Sequence, residues 1–356
     1  MCPSSATLHG SLAVVLLAAL AGSAPAVAAD APLRSPFRIP DPALSSSAAA
    51  VTCAQPPPAQ RNLRAVRYYS DAAGTVEDPA LRRQNDTALA RVRGYVRELT
   101  RLTDRYRRSG GARAAECALD WLDDWAQSKA LLGTTNGNQA EYERKWALAA
   151  LALNYLKIRD AVSLDTEKLR RVENWLSELA AVVVRFHENP RRGRNNHLYW
   201  SGLAVAASGV AANDARLFRW GMAVYHEALG QIRDDGTLPL ELARKELALH
   251  YHNFAAAPLA LIAEIGEANG IPLYDAGGGA FHRLVRRTLE GMRDPAYFQH
   301  LTGAAQRVPR GGIMAWLEPY AARFPSSPAA RLAAELRPLS YDRLGGDLTL
   351  LFAAGG

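Results

Sequence analysis

Two polar clusters within apolar, helix-forming stretches contain the residue types that acid–base chemistry on an anionic substrate needs. The first contains Asn195, Asn196, His197 and Trp200, and it follows a basic loop at residues 190–194. Either asparagine can cap the next helix, which places His197 in its first turn. A helix N-terminus attracts a carboxylate and keeps a nearby histidine neutral, as a general base must be. An asparagine cap followed by a core histidine and a core tryptophan is the alternative.

The second cluster spans residues 239–254 and combines an arginine with a tyrosine. Arg244 and Tyr251 are seven residues apart, about two helical turns, so one predicted helix presents both on nearly the same face. Ala248 between them leaves room above the helix. An arginine can bind a carboxylate, and a tyrosine can transfer a proton. A surface arginine packed over a half-buried tyrosine is the alternative.

Other polar residues give weaker indications of function. His250 and His252 flank Tyr251 but point about 100° away from it, which favours packing roles. Their spacing does not let them converge on a zinc ion. Arg93 and Arg97 belong to a basic helix face, which we interpret as solvated surface rather than a track for a polymer.

Helices are predicted for most of the chain beyond residue 79. Apolar residues recur there at spacings of three and four, and glycine, proline and asparagine mark the breaks. No segment shows sustained strand alternation. An array of antiparallel helical hairpins, such as an α/α toroid, is favoured over a generic bundle. The predicted helices span residues 79–109, 112–131, 140–159, 166–188, 197–211, 214–233, 241–269, 280–292 and 328–336.

The N-terminus predicts an exported protein. An apolar run at residues 11–21, followed by small residues before Asp30, is typical of a signal peptide over residues 1–29. The first ten residues carry no lysine or arginine, and a buried N-terminal helix is the alternative. The run is too short to span a bilayer, so no membrane contact is expected after cleavage. A Pro/Ser/Ala-rich extended arm is predicted over residues 30–60, and a single domain over residues 61–356.

Charge and cysteine content agree with export and an anionic partner. The net charge is +7, which attracts nucleic acid, anionic lipid or acidic polysaccharide, although it can also serve solubility alone. Export favours polysaccharide, and the sequence lacks the stacking aromatics interleaved with basic residues that nucleic-acid binders use. Cys53 and Cys117 remain after signal cleavage. An oxidising compartment predicts one disulfide between them, with two free thiols as the alternative.

Seven segments occur in the order in which one enzyme family carries them. They are Arg67–Tyr69, Asp78–Leu81, Cys117–Trp121, Asn195–Trp200, Leu240–Asn253, Ala315–Tyr320 and Arg343–Asp347. On these segments the chain resembles the alginate lyase family of periplasmic mannuronate lyases, especially its broader-specificity polyuronate-cleaving members. The resemblance implies an incomplete α/α toroid, an acidic polysaccharide substrate, a monomer, and a mechanism without metal or other cofactor.

The resemblance also implies roles for individual residues. Asn196 and Arg244 match the residues that bind the C6 carboxylate of the sugar, and His197 and Tyr251 match the base and the acid. Either a neutral His197 or a tyrosinate at Tyr251 can be the base, depending on whether the C5 proton and O4 lie on opposite faces or the same face of the sugar. The remaining matches are substrate contacts: Arg67, Tyr68, Trp200, His250 and Arg343.

Two departures from the family pattern affect the expected sugar preference. Mannuronate-specific relatives carry Ser-Lys-Tyr where this chain has Val66, Arg67 and Tyr68, and Phe254 replaces a tyrosine. Arginine and lysine bind anions with different geometry. We therefore predict a periplasmic lyase for β-1,4-linked polyuronates, with alginate's mannuronate blocks first. A polyglucuronate or hyaluronate lyase and a non-catalytic exopolysaccharide-binding protein are the alternatives.

Overall fold

The structure, a computed structural model, describes residues 31–38, 51–72, 74–162 and 164–353, and the predicted signal peptide lies outside them. The described residues from Pro32 onwards form one compact unit. No helix in the described ranges is long and apolar enough to cross a membrane. The helices are α1 (Pro79–Ser109), α2 (Ala112–Gln127), α3 (Asn138–Ile158), α4 (Thr166–Glu188), α5 (Asn196–Ala211), α6 (Ala215–Gln231), α7 (Pro239–Leu242), α8 (Ala248–Ala268), α9 (Ala276–Arg293), α10 (Ala296–Thr302), α11 (Leu317–Arg323), α12 (Pro328–Leu336) and α13 (Leu348–Phe352). Strands β1 (Ser340–Tyr341) and β2 (Gly346–Asp347) pair antiparallel.

Helices α3, α5 and α8 form an inner layer. Every residue of α3 from Glu143 to Ile158 is buried, and so is every residue of α5 except His197. Helices α2, α4, α6 and α9 bury only one apolar stripe each, as outer helices do. Helices α5 and α6 approach closely, because a Cβ added to Gly221 would lie 2.8 Å from the Gly202 carbonyl oxygen. Only glycine fits there.

The inner helices run parallel, because an outer helix connects each one to the next. Their N-terminal turns lie around one cleft, and the last turns of α3, α5 and α8 lie near the N-terminal arm. The predicted all-α toroid of antiparallel hairpins is therefore confirmed, with β1 and β2 as a minor addition. Three helix N-termini facing one cleft favour an anionic ligand there.

Some helix boundaries differ from the predictions. Helix α2 ends at Gln127 rather than near residue 131, because Lys129 and Leu131 adopt positive φ angles. Helix α8 begins at Ala248 rather than at residue 241, because Lys245 has a φ of 49°, which breaks the helix after α7. The periodicity also missed the short helices α10, α11 and α13.

The described parts of the predicted arm pack against the helical domain. Leu33 and Phe37 are buried, and the Leu33 amide donates to Asn213 beyond the end of α5. Farther along, Cys53 is bonded to Cys117 of α2, with Cα atoms 5.3 Å apart. This disulfide joins the cysteines predicted to pair, and it fixes the arm to the outer layer.

Candidate active site

The cleft at the N-terminal ends of the inner helices has a volume of about 890 Å³. The segment from residue 65 to 77, the first half of α1 and the turn after β1 complete its walls. The cleft brings together seven of the nine predicted site residues: Arg67, Tyr68, His197, Arg244, His250, Tyr251 and Arg343. Asn196 and Trp200 do not line it.

His197 is the one residue of α5 that reaches the cleft. The Asn195 side chain caps the helix, because its Oδ1 accepts a hydrogen bond of 3.1 Å from the His197 backbone amide. The imidazole stacks on Tyr142 with centroids 3.7 Å apart, and its Nδ1 lies 3.0 Å from Nζ of Lys145. Burial above all holds the pKa of His197 well below its usual value, and the positive charges of Arg244 and Arg343 act in the same direction. A neutral imidazole therefore faces the cleft, as a general base requires.

Tyr251, in the first turn of α8, faces the cleft next to Arg244. The Arg244 guanidinium lies 3.7 Å from the centre of the Tyr251 ring, and it donates to the Gly74 carbonyl oxygen. The Tyr251 hydroxyl lies 2.7 Å from that of Tyr69. Burial raises the pKa of Tyr251, while Arg244 and Tyr69 lower it. The phenol is therefore protonated at neutral pH and can act as an acid.

Arg244 lies next to Tyr251, but the backbone conformation between the two residues differs from the predicted one. The two residues do not share a helix, because Arg244 precedes the 3₁₀ turn Lys245–Leu247 that leads into α8. The stacked pair nevertheless forms. The predicted juxtaposition is confirmed, and the predicted helical geometry is wrong.

Asn196 is fully buried and points at a carboxylate rather than into the cleft. Its Nδ2 donates to both carboxylate oxygens of Glu241 at 3.0 Å, and its backbone amide donates to the same group at 2.8 Å. A buried carboxylate needs such donors. The prediction that the Asn196 side chain faces the substrate is wrong in this structure, where it anchors the start of α5 to Glu241.

Trp200 belongs to the core beneath the cleft. It is fully buried, and its indole donates to the Phe254 carbonyl oxygen at 3.1 Å. Phe254 packs above it with ring centroids 5.0 Å apart and lines the cleft instead. The prediction of a cleft role for Trp200 is therefore wrong, and the core alternative holds for this residue.

The other predicted contacts lie on the cleft walls. Arg67 is exposed and donates to backbone carbonyls of its own loop, whereas Tyr68 is buried beneath Arg82 at 4.2 Å. His250 is half-buried, and burial lowers its pKa to about 4. The Arg343 guanidinium lies 3.8 Å from the centre of the Trp146 ring.

Sequence reasoning missed one wall of the cleft, which comes from α3. Tyr142, Glu143 and Trp146 line it, and Lys145 lies directly behind His197. In the sequence, their spacings of three and four indicated only that they share one face of a helix. From α1, half-buried Arg93 and exposed Arg97 line the cleft as well, so the basic face that we interpreted as solvated surface forms part of the cleft wall.

Known proteins resemble this chain over most of its length. The alginate lyase family model matches residues 62–298. A polysaccharide lyase of Stenotrophomonas maltophilia is 42% identical over 315 residues, covering 88% of this chain and 94% of that protein. An alginate lyase of Azotobacter vinelandii is 36% identical over 293 residues, with 80% and 78% covered.

Solved structures agree with these relatives. Alginate lyase A1-III from Sphingomonas species A1 superposes with a TM-score of 0.77 at 28% identity, covering 89% of this chain and 92% of that one. A variant of alginate lyase A1-III complexed with a tetrasaccharide superposes with a TM-score of 0.79 at 27% identity, with 90% and 91% covered.

Proposed function

The chain belongs to the alginate lyase family and is a polysaccharide lyase, and we propose that it cleaves the mannuronate blocks of alginate by β-elimination. The observation that carries this proposal is the meeting of a neutral imidazole, a protonated phenol and a guanidinium in one cleft. His197, Tyr251 and Arg244 supply these groups. A protein that only binds its polymer has no need of an acid–base pair.

The charge of the cleft suits a polyuronate, which carries one carboxylate on every sugar. Six arginines and three carboxylates line the walls. Positive potential focused in a cleft raises the local concentration of an anionic polymer and its rate of binding. The aromatic floor formed by Trp146 and Phe254, with centroids 5.9 Å apart, offers apolar faces for sugar rings.

The proposed reaction assigns one step to each group. Arg244 binds the C6 carboxylate, which stabilises the negative charge that develops when the C5 proton leaves. His197 accepts that proton, and the electron pair of the C5–H bond forms the C4=C5 double bond. The bond between C4 and O4 breaks, and the Tyr251 phenol protonates the departing O4. The departing oxygen stays on C1 of the neighbouring sugar, so the products are a chain with a new reducing end and a chain whose non-reducing end is a 4,5-unsaturated uronate.

Sugar preference, location and assembly are further parts of the proposal. Arg67 in place of the lysine of mannuronate-specific relatives supports polyglucuronate or hyaluronate as the next candidate substrates. We propose that the protein is exported to the periplasm, because of its N-terminal sequence and its disulfide. We also propose that it acts as a monomer, since the groups assigned to the reaction all come from one chain.

A substrate panel tests the proposal. Polymannuronate, polyguluronate, polyglucuronate and hyaluronate are each incubated with the protein, and ultraviolet absorbance of unsaturated ends is followed. We expect the highest rate on polymannuronate. A higher rate on another polymer would change the substrate, and no absorbance gain on any polymer, together with retained binding, would favour the non-catalytic alternative.

A further inference from the structure

We propose that Lys145 is a positioning residue that holds His197 in the tautomer needed for proton abstraction. In this arrangement the Lys145 amine accepts the proton on Nδ1 of His197, and Nε2 presents a free electron pair to the cleft. The proposal deepens the function proposed above and rests on the assignment of His197 as the base.

Lys145 occupies a position where a lysine is unusual. Lys145 is 1% exposed, and its Nζ lies 3.0 Å from Nδ1 of His197. Within the described part of the chain, no carboxylate forms an ion pair with it. The rings of Tyr142 and Trp146 lie 4.1 and 5.4 Å from Nζ and exclude water from it. The imidazole nitrogen is therefore its principal polar partner.

The surroundings favour the uncharged amine. Burial lowers the pKa of Lys145 well below its usual value, and the positive charge of Arg343 acts in the same direction. Glu143 and Glu141 oppose this shift from farther away, and the aromatic faces also favour a cation. An ammonium without a carboxylate partner is nevertheless costly to bury, and such lysines can be uncharged at neutral pH.

A second buried lysine on the same helix shows the contrast. Lys157 is also fully enclosed, but it donates to Asp104, to Thr103 at 3.2 Å and to Asn154 at 3.1 Å. Its carboxylate partner compensates an ammonium. Lys145 has an imidazole where Lys157 has a carboxylate, so packing alone does not account for its placement.

The charge state of the amine determines the tautomer of His197. Between two neutral groups, imidazole N–H is the stronger donor and a primary amine is the stronger acceptor. The proton therefore lies on Nδ1 and points at Lys145, while Nε2 is left without a proton. An isolated imidazole favours the opposite tautomer, so the contact selects the form that can act as a base. Stacking on Tyr142 fixes the plane of the ring.

Nitrogen NMR tests the tautomer without any assay of activity. Ring-labelled histidine is incorporated into the full chain, and two-bond proton–nitrogen spectra are recorded at neutral pH. The His197 signals are those missing from His197→Gln. We expect Nδ1 protonated and Nε2 unprotonated. Protonation of Nε2 in the unmodified protein would overturn the proposal whether or not the protein cleaves alginate.

Two matched lysine variants distinguish positioning from packing. For Lys145→Met, which keeps the volume, we expect His197 to shift towards the Nε2–H form and kcat to fall roughly tenfold to hundredfold with KM little changed. For Lys157→Met we expect lower thermal stability and unchanged His197 signals. Wild-type His197 signals in folded Lys145→Met would contradict the proposal. If Lys145→Met does not fold, the spectrum of the unmodified protein still decides.

Discussion

The hydroxyl groups of Tyr69 and Tyr251 lie 2.7 Å apart, so a residue near the start of the domain bonds directly to the proposed acid of the reaction. The same segment reaches Arg244 through the Gly74 carbonyl oxygen. Residues 69 and 74 thus contact both the acid and the residue proposed to bind the carboxylate. Changes in this segment are therefore expected to affect catalysis as well as binding.

Replacing Tyr251 by phenylalanine tests its role as the acid. Tyr251→Phe keeps the ring that packs beside Phe254 and removes the proton donor. We expect kcat on polymannuronate to fall roughly 10²- to 10⁴-fold with unchanged folding. Tyr297→Phe removes a hydroxyl bonded to Asp235 outside the cleft and serves as the control. Turnover by Tyr251→Phe close to that of the control would show that another group protonates O4.

The Tyr69 hydroxyl is expected to tune the acid. Its hydrogen bond lowers the pKa of Tyr251, so Tyr69→Phe should raise that pKa. An acid is active while protonated, and activity is lost as pH rises through its pKa; this loss should therefore move to higher pH. Spectrophotometric titration of tyrosinate, taken as the difference from Tyr251→Phe, measures the shift. A shift to lower pH would mean that Tyr69 stabilises the protonated phenol instead.

The acid limb of the activity profile reports His197. A base is lost as pH falls through its pKa, and burial together with the positive charge of Arg244 keeps that pKa low. We expect kcat/KM for polymannuronate to stay constant down through pH 6.5, the usual pKa of histidine. The pH–rate profile, with recovery of activity after return to neutral pH as the control, makes the measurement. A reversible loss centred near 6.5 would exclude His197 as the base in this environment.

Cleft arginines should affect polymer binding more than chemistry. Arg343 lies over Trp146 at one wall, and we expect Arg343→Gln to raise KM several-fold, with a smaller effect at high salt because salt screens the lost charge. Arg216 pairs with Asp214 on an exposed surface, so Arg216→Gln should leave KM unchanged. Equal effects of the two variants would indicate that only the total charge matters.

Acid should destabilise the fold through buried histidines. His252 is fully buried, its Nε2 accepts the Leu238 amide at 2.8 Å, and burial lowers its pKa to about 4. The unfolded chain binds a proton below about pH 6.5, whereas the native state does not until about pH 4. The free energy of unfolding should therefore fall between these values, by on the order of 1–3 kcal/mol for His252.

Urea unfolding at pH 7 and pH 4.5 measures this loss. His252→Gln should show a smaller decrease between the two pH values than the unmodified protein, although it is less stable at pH 7. The matched comparison is His226→Gln, which alters an exposed histidine of α6. If His252→Gln and the unmodified protein lose the same free energy, the acid sensitivity has another origin.

Local patterns predicted the helices well where periodicity was strong and uninterrupted. The bounds of α1 and α4 match the predictions, because capping residues such as Asp78 and Asp165 mark where each helix begins. The start of α8 was missed because the positive φ of Lys245 has no local signal in a lysine. The pairing of Arg244 with Tyr251 came out correctly although its supposed cause did not.

The sequence predicted which side chains face the cleft only where the residue type indicates the direction of the side chain. A helix-start histidine was placed well, but nothing local distinguishes a cleft tryptophan from a core one, and Trp200 proved to be core. Lys145 meets His197 across 52 residues of sequence, between two helices, so no spacing rule could join them. Glu241 similarly turned Asn196 away from the cleft through a tertiary contact.

The packing of residues 33–35 determines where the chain can be shortened. Their backbone bonds to Asn213 and Asn269, and the Ser35 hydroxyl donates to the Leu156 carbonyl oxygen, so they brace three inner helices at the end opposite the cleft. A recombinant fragment starting at residue 61 would lack these contacts at the ends of the three inner helices, and it would also lose the disulfide partner Cys53. We expect such a fragment to unfold at a lower temperature, while its preference among sugars changes least.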